Sequence, residues 1–175
     1  MREQDQVISF EQVVLPHMAA AYNLARWLTH GDQDAEDVAQ EAYLRAFRFF
    51  AGFHGGDGRV WLLAIVRNTC YTWLHQKQAQ ELTIPFDDDL HNVASADLGP
   101  ETLLLQSADT ATLKAALLEL PVAFREVMIL RELEDLSYKE IATVVGVPLG
   151  TVMSRLARGR GRLQASLAAR RSEEA

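Results

Sequence analysis

Leu136-Ser-Tyr-Lys-Glu-Ile-Ala-Thr-Val-Val-Gly-Val-Pro-Leu-Gly-Thr-Val-Met-Ser-Arg-Leu-Ala-Arg158 is the stretch that decides the fold. Its start, Ser137-Tyr138-Lys139-Glu140, has the form of a capping box, in which the Ser hydroxyl and the Glu carboxylate each satisfy a backbone N–H left free at a helix start. Small Ala142 permits close helix approach, Gly146 permits a tight turn, and Val152 anchors a second helix that Pro148 begins. The pattern predicts a helix-turn-helix. Counted at about 100° per residue from Val152, Leu156, Gly159, Leu163 and Leu167 share one arc that must face a core. Ser154, Ala157, Arg158 and Gly161 lie opposite. Small residues there let the helix sit deep in a major groove, where Arg158 and Ser154 reach base edges, while Arg155 and Arg162 at the flanks suit phosphates. A plain basic surface helix would share the arginines, but not the capping box and the Ala, Gly and Val spacing.

The formal net charge of −7 looks wrong for a nucleic-acid partner until the charges are located. Glu81 to Asp109 holds seven acids and no Lys or Arg, whereas Pro148 to Arg171 holds six Arg and no acid. Neutralising phosphate takes a local cluster of positive charge, so the C-terminal segment qualifies despite the acidic total. A hydrophobic content of 49% can bury a core. Mean hydropathy of −0.06 and the lack of a long apolar run argue against membrane insertion. Met1 to Ser9 has no secretory pattern, which points to the cytoplasm. Cys70 is the single cysteine, so no internal disulfide or thiolate metal cluster is expected, and it reads as a small core hydrophobe.

Outward from the helix-turn-helix, nearly every periodic segment has helical spacing, which makes the chain all-α. Phe10 to Val14 is a short lead-in. A first full helix is expected from about Pro16 to His30-Gly31, with glycine taking the left-handed C-terminal position. A second, capped by Asp32 or Asp34, runs to about Phe50, and Gly52 to Gly58 is a flexible connection. A third spans about Arg59 to Gln80. Further helices are expected over Thr102 to Glu119 and Val122 to Glu134, separated by Leu120-Pro121. Two small helical domains follow, residues 1–80 and 102–175, joined by an acidic flexible linker over 81–101.

On the third helix, Leu62, Ile65, Val66, Thr69 and Trp73 form a core face. Arg67, Asn68, Tyr71 and His75 share the opposite stripe, a cation, an amide and a stacking aromatic that suit a partly unpaired DNA strand, although a solvated amphipathic face looks similar. Trp61 is either core or beside the DNA. In the second helix, Asp37, Gln40 and Glu41 lie within about one turn and can pair with arginines of a partner; capping and solvation are the simpler alternatives. A metal or acid–base role fits poorly, because no helical Glu-x-x-His pair and no Gly-rich phosphate loop accompany these carboxylates. No metal, cofactor or catalytic residue is expected.

Three motifs together resemble the extracytoplasmic-function (ECF) sigma factors of bacterial RNA polymerase: Asp34-Ala-Glu-Asp-Val-Ala-Gln-Glu-Ala-Tyr-Leu-Arg-Ala-Phe47, Trp61-Leu-Leu-Ala-Ile-Val-Arg-Asn-Thr69, and the helix-turn-helix. The resemblance covers nearly the whole chain. It implies a promoter-specificity subunit, not an enzyme, that docks on the core polymerase at the largest-subunit coiled coil and the flap, with Asp37, Gln40, Glu41 and Phe47 at the coiled-coil contact. It implies that Trp61, Arg67, Asn68, Tyr71 and His75 face the minus-ten element and help melt it. Thr151, Met153, Ser154, Ala157 and Arg158 would face the minus-thirty-five element, with Arg155 and Arg162 on phosphates. An anti-sigma factor is the implied regulator. Where many relatives have Asp and Arg after the Asn, this chain has Thr72 and His75, and Gly159 and Gly161 predict a less rigid end to the recognition helix. The competing reading is a stand-alone helix-turn-helix regulator, which would need a receiver of alternating strands and helices in place of the helical first half.

Overall fold

A computed structural model describes residues 2–83 and 108–175, and all the regular elements among them are helical. Most of the expected acidic linker lies outside the described residues. The described residues form eight α-helices: α1 (Arg2–Val14), α2 (Met18–Thr29), α3 (Asp32–Phe49), α4 (Gly58–Thr83), α5 (Ala108–Glu119), α6 (Val122–Glu132), α7 (Tyr138–Val145) and α8 (Leu149–Glu174). The lead-in is therefore longer than its periodicity suggested, and α4 continues three residues past Gln80.

Local chemistry sets the boundaries, in several places differently from expectation. Pro16 lies in a short 3₁₀ turn, Leu15–His17, ahead of α2. The left-handed residue after α2 is His30, at φ 66°, and not Gly31, which is extended. Histidine is among the residues that tolerate this region. Gly31 in turn takes the N-cap position of α3 without a side-chain bond, so neither Asp32 nor Asp34 is the cap. Asp32 instead pairs with Arg26 at 2.7 Å. The connection after α3 is ordered by a 3₁₀ turn, Phe50–Gly52, and by Gly55 and Gly56 at φ 95° and 94°. The Asp57 carboxylate then accepts from the N–H groups of Arg59 and Val60 at 2.9 and 3.3 Å, opening α4. Gly58 has a steric reason: a Cβ there would lie 2.6 Å from Val13 Cγ1, so α1 sits against the start of α4 only because the side chain is missing.

In the first half, Phe10, Leu24, Leu28, Val38, Ala42, Leu62, Leu63, Val66 and Cys70 are buried together. In the second, Val127, Ile129, Leu130, Leu136, Ile141, Val152 and Leu156 are buried and continuous with that cluster. The halves pack on each other: α6 lies against α2, and α7 against α4. Helix α6 is the pivot. Arg125 to Leu130 are all buried, which an amphipathic surface helix would not permit. Arg125 is accommodated by donating from Nη1 to the carbonyls of Leu118 and Leu120, both at 2.9 Å, which closes the C-terminal end of α5. Burial lowers its pKa to about 10. The Cys70 thiol is pushed up to about 12, chiefly by burial, and so it behaves as the small hydrophobe expected of it.

Candidate nucleic-acid interface

The helix-turn-helix forms as its sequence dictates. Glu140 N–H donates to Ser137 Oγ at 3.1 Å and Ser137 N–H to Glu140 Oε1 at 3.0 Å, completing the capping box. Gly146 ends α7 in the left-handed conformation at φ 74°, its N–H bonded to the Ala142 carbonyl at 2.9 Å. The α7–α8 pair bends by 100° at this turn, within the range of DNA-reading helix pairs. Pro148 caps α8, and Val152, Leu156 and Gly159 are buried.

Met153, Ser154, Ala157, Arg158 and Gly161 form an exposed face, with Met153 52% exposed. Thr151 is half-buried beside them. Arg162 is exposed and stacks its guanidinium 5.1 Å from the Phe124 ring centroid, which restricts its side chain. Arg155 departs from a purely outward position: its Nη1 lies 3.9 Å from Glu126. Gly159 is not a loss of rigidity, because a Cβ there would lie 3.1 Å from Met128 Cγ and 3.5 Å from Phe124 Cβ, and the glycine lets α8 approach α6. Gly161 has open space around it.

The stripe on α4 is divided. Asn68 and His75 are exposed, whereas Arg67 and Tyr71 are turned onto the second half. Arg67 donates from Nε and Nη2 to Glu126 at 2.9 and 3.2 Å, and its guanidinium carbon sits 3.7 Å from the Tyr71 ring centroid. The Tyr71 hydroxyl is enclosed without a well-formed hydrogen bond, and burial first, then the Glu126 charge, pushes its pKa up to about 12. Trp61 packs 5.1 Å from Phe53 and 6.1 Å from Phe50, against the core yet partly open to solvent. A cleft beside it is lined by Phe53, His54, Lys139 and Thr143.

On α3, Asp37, Gln40, Glu41 and Phe47 are all exposed. Leu44 joins them at 47% exposure beside Phe47 at 46%, an apolar contribution that reasoning from the carboxylates missed although Leu44 is one turn from both Gln40 and Phe47. Glu41 pairs with Arg45 at 3.0 Å, an exposed helical pair that a partner can displace at small cost. Among the described residues no group of three or more His, Cys, Asp or Glu is arranged to hold a metal ion, and no single helix is long and apolar enough to cross a membrane.

A basic helix-turn-helix coupled to a second helical half is the architecture of a DNA-directed protein, and here that half also carries an exposed acidic and apolar stripe. Sigma-70 region 2 matches residues 13–80 and Sigma-70 region 4 matches residues 110–163. The chain is 35% identical to the ECF RNA polymerase sigma factor SigE of Mycolicibacterium smegmatis over 173 residues, 99% of this chain and 67% of that one. It is 32% identical to the RNA polymerase sigma-H factor of Pseudomonas aeruginosa over 171 residues, 91% of this chain and 86% of that one. Among solved structures, the sigma factor RpoE from Bartonella quintana, in complex with the anti-sigma factor NepR, superposes with a TM-score of 0.76 at 27% identity, covering 91% of this chain and 97% of that one. CnrH, in complex with the cytosolic domain of CnrY, gives 0.62 at 26% identity, covering 91% and 88%. The chain belongs to the ECF sigma factors, the subunits that give bacterial RNA polymerase its promoter specificity. The stand-alone regulator is not favoured.

Proposed function

We propose that the chain joins the core polymerase through the exposed α3 stripe and reads a two-part promoter through α4 and α8, acting by binding and not by catalysis, in the cytoplasm. Residues 1–80 form the core-binding and minus-ten domain, and residues 102–175 the minus-thirty-five domain. Asp37, Gln40 and Glu41 supply carboxylate and amide partners for arginines on the largest-subunit coiled coil, and Leu44 and Phe47 supply the apolar contact that adds affinity. Met153, Ser154, Ala157 and Arg158 read base edges in the upstream major groove, with Arg162 on phosphate and Thr151 and Arg155 at the edge of the footprint. Trp61, Asn68 and His75 line the downstream strand, joined by Arg67 and Tyr71 once the second half moves aside. The sigma factor RpoE of Bartonella quintana, solved with the anti-sigma factor NepR, supports regulation by such a protein here.

The observation that carries this reading is one chain presenting an exposed docking stripe on α3 and an acid-free, small-residue face on α8. In vitro transcription with purified core polymerase on a randomised promoter library tests it. Enrichment of two elements at fixed spacing is expected. Transcripts that start without sequence preference would contradict it.

A further inference from the structure

Glu126 sits in the middle of α6 with no solvent exposure, and arginines from two different helices reach it. Arg67 of α4 occupies both carboxylate oxygens, whereas Arg155 of α8 stops 3.9 Å from Oε1, the oxygen that Arg67 Nη2 already holds. That gap is about 1 Å longer than a hydrogen bond. Arg67 thus holds both oxygens in hydrogen bonds, while Arg155 lies at ion-pair distance without one. The seated pair bridges the halves of the molecule, together with Asn23 Nδ2 donating to Glu134 Oε1 at 3.0 Å and the Arg59 guanidinium donating to the Glu134 carbonyl.

A buried carboxylate stripped of its hydrogen-bonded cation is strongly destabilising, so a separation that simply withdrew Arg67 would be opposed by the charge left behind. Arg155 removes that obstacle, because it belongs to the same half as Glu126 and needs only a side-chain adjustment to take the vacated oxygen. We propose that Glu126 is a two-position arginine latch: with Arg67 seated the halves stay closed over part of the α4 stripe, and on separation Arg155 takes the carboxylate and Arg67 is released to the minus-ten face. Tyr71 is withheld and released with Arg67, since its ring lies against that guanidinium. The inference rests on the reading of Arg67 as a promoter-facing residue, but the latch itself can be tested without DNA.

The test uses the full chain in solution, small-angle scattering for its size, and an arginine-selective dicarbonyl reagent for accessibility, with modification followed by mass spectrometry at Arg67, Arg155 and exposed Arg158. In the parent, Arg67 is expected to react at least about tenfold more slowly than Arg158. The Arg67→Met chain is expected to expand, while Arg155 becomes about threefold less reactive as it closes on Glu126. The Arg155→Met chain is expected to stay compact with Arg67 protected further, which keeps the latch testable if Arg67→Met fails to fold. Parent Arg67 reacting as fast as Arg158, or Arg155→Met leaving Arg67 no better protected than in the parent, overturns the latch. Failure of promoter recognition would instead count against the Proposed function and leave these reactivities unchanged.

Discussion

Helices α4 and α8 are each 26 residues long, and each turns one apolar side to a core and one polar side outward, yet they present those polar sides differently. On α8 the face from Met153 to Gly161 is open. On α4 half of the corresponding stripe is folded under α6. The difference lies in the carboxylates within reach. Arg158 is exposed and has no acid beside it in the sequence of α8, while Arg67 meets Glu126, which has no exposure to water. A cation on a candidate DNA face is thus available only if the rest of the fold leaves it unpaired.

The most severe way to break the comparison is to remove the acid that creates it. Glu126→Ala should destabilise the chain by about 3 kcal/mol, seen as a lowered denaturant midpoint, because two arginines then surround an empty apolar site. Next in size, Asp37→Ala with Phe47→Ala should weaken core-polymerase binding by about 2 kcal/mol in a competition assay while leaving DNA binding by the second half intact. Arg158→Ala should cost about 1 to 3 kcal/mol of base discrimination at one upstream position, measured by promoter selection, since the α8 face is already exposed. Smaller still, Ser137→Ala should lower stability by about 1 kcal/mol through loss of the cap on α7.

His30 supplies a pH test of the contact between the halves. Burial first, then the charges of Arg125 and Lys77, hold its pKa down to about 4 from an ordinary 6.5. A depressed histidine means that the unfolded chain binds the proton more readily, so this contribution to stability is fully present above pH 6.5 and is lost as pH falls from there toward 4. His30→Asn, which tolerates the same left-handed backbone, should flatten the pH dependence of the melting temperature in that window.

Much of this was legible in the sequence where the cause is local. The capping box Ser137–Glu140, the turn at Gly146 and the α8 periodicity act over a few residues, and the structure follows them. The end of α2 falls at His30 as expected, but the left-handed residue is His30 and not Gly31, because both can occupy that region and Gly31 is extended as it leads into α3. Gly159 looked like a weak point because its reason is Met128 on a neighbouring helix. Glu126 could not be read as buried at all: its partner Arg67 is 59 positions away in the other half, and no spacing rule connects them.

The sharpest single measurement is a footprint of the upstream and downstream promoter elements by the purified chain, with and without core polymerase. Weak or absent protection by the chain alone and joint protection of both elements in the presence of core would bear out a subunit whose α4 face is opened in the assembled enzyme. Equal protection of both elements without polymerase would contradict it.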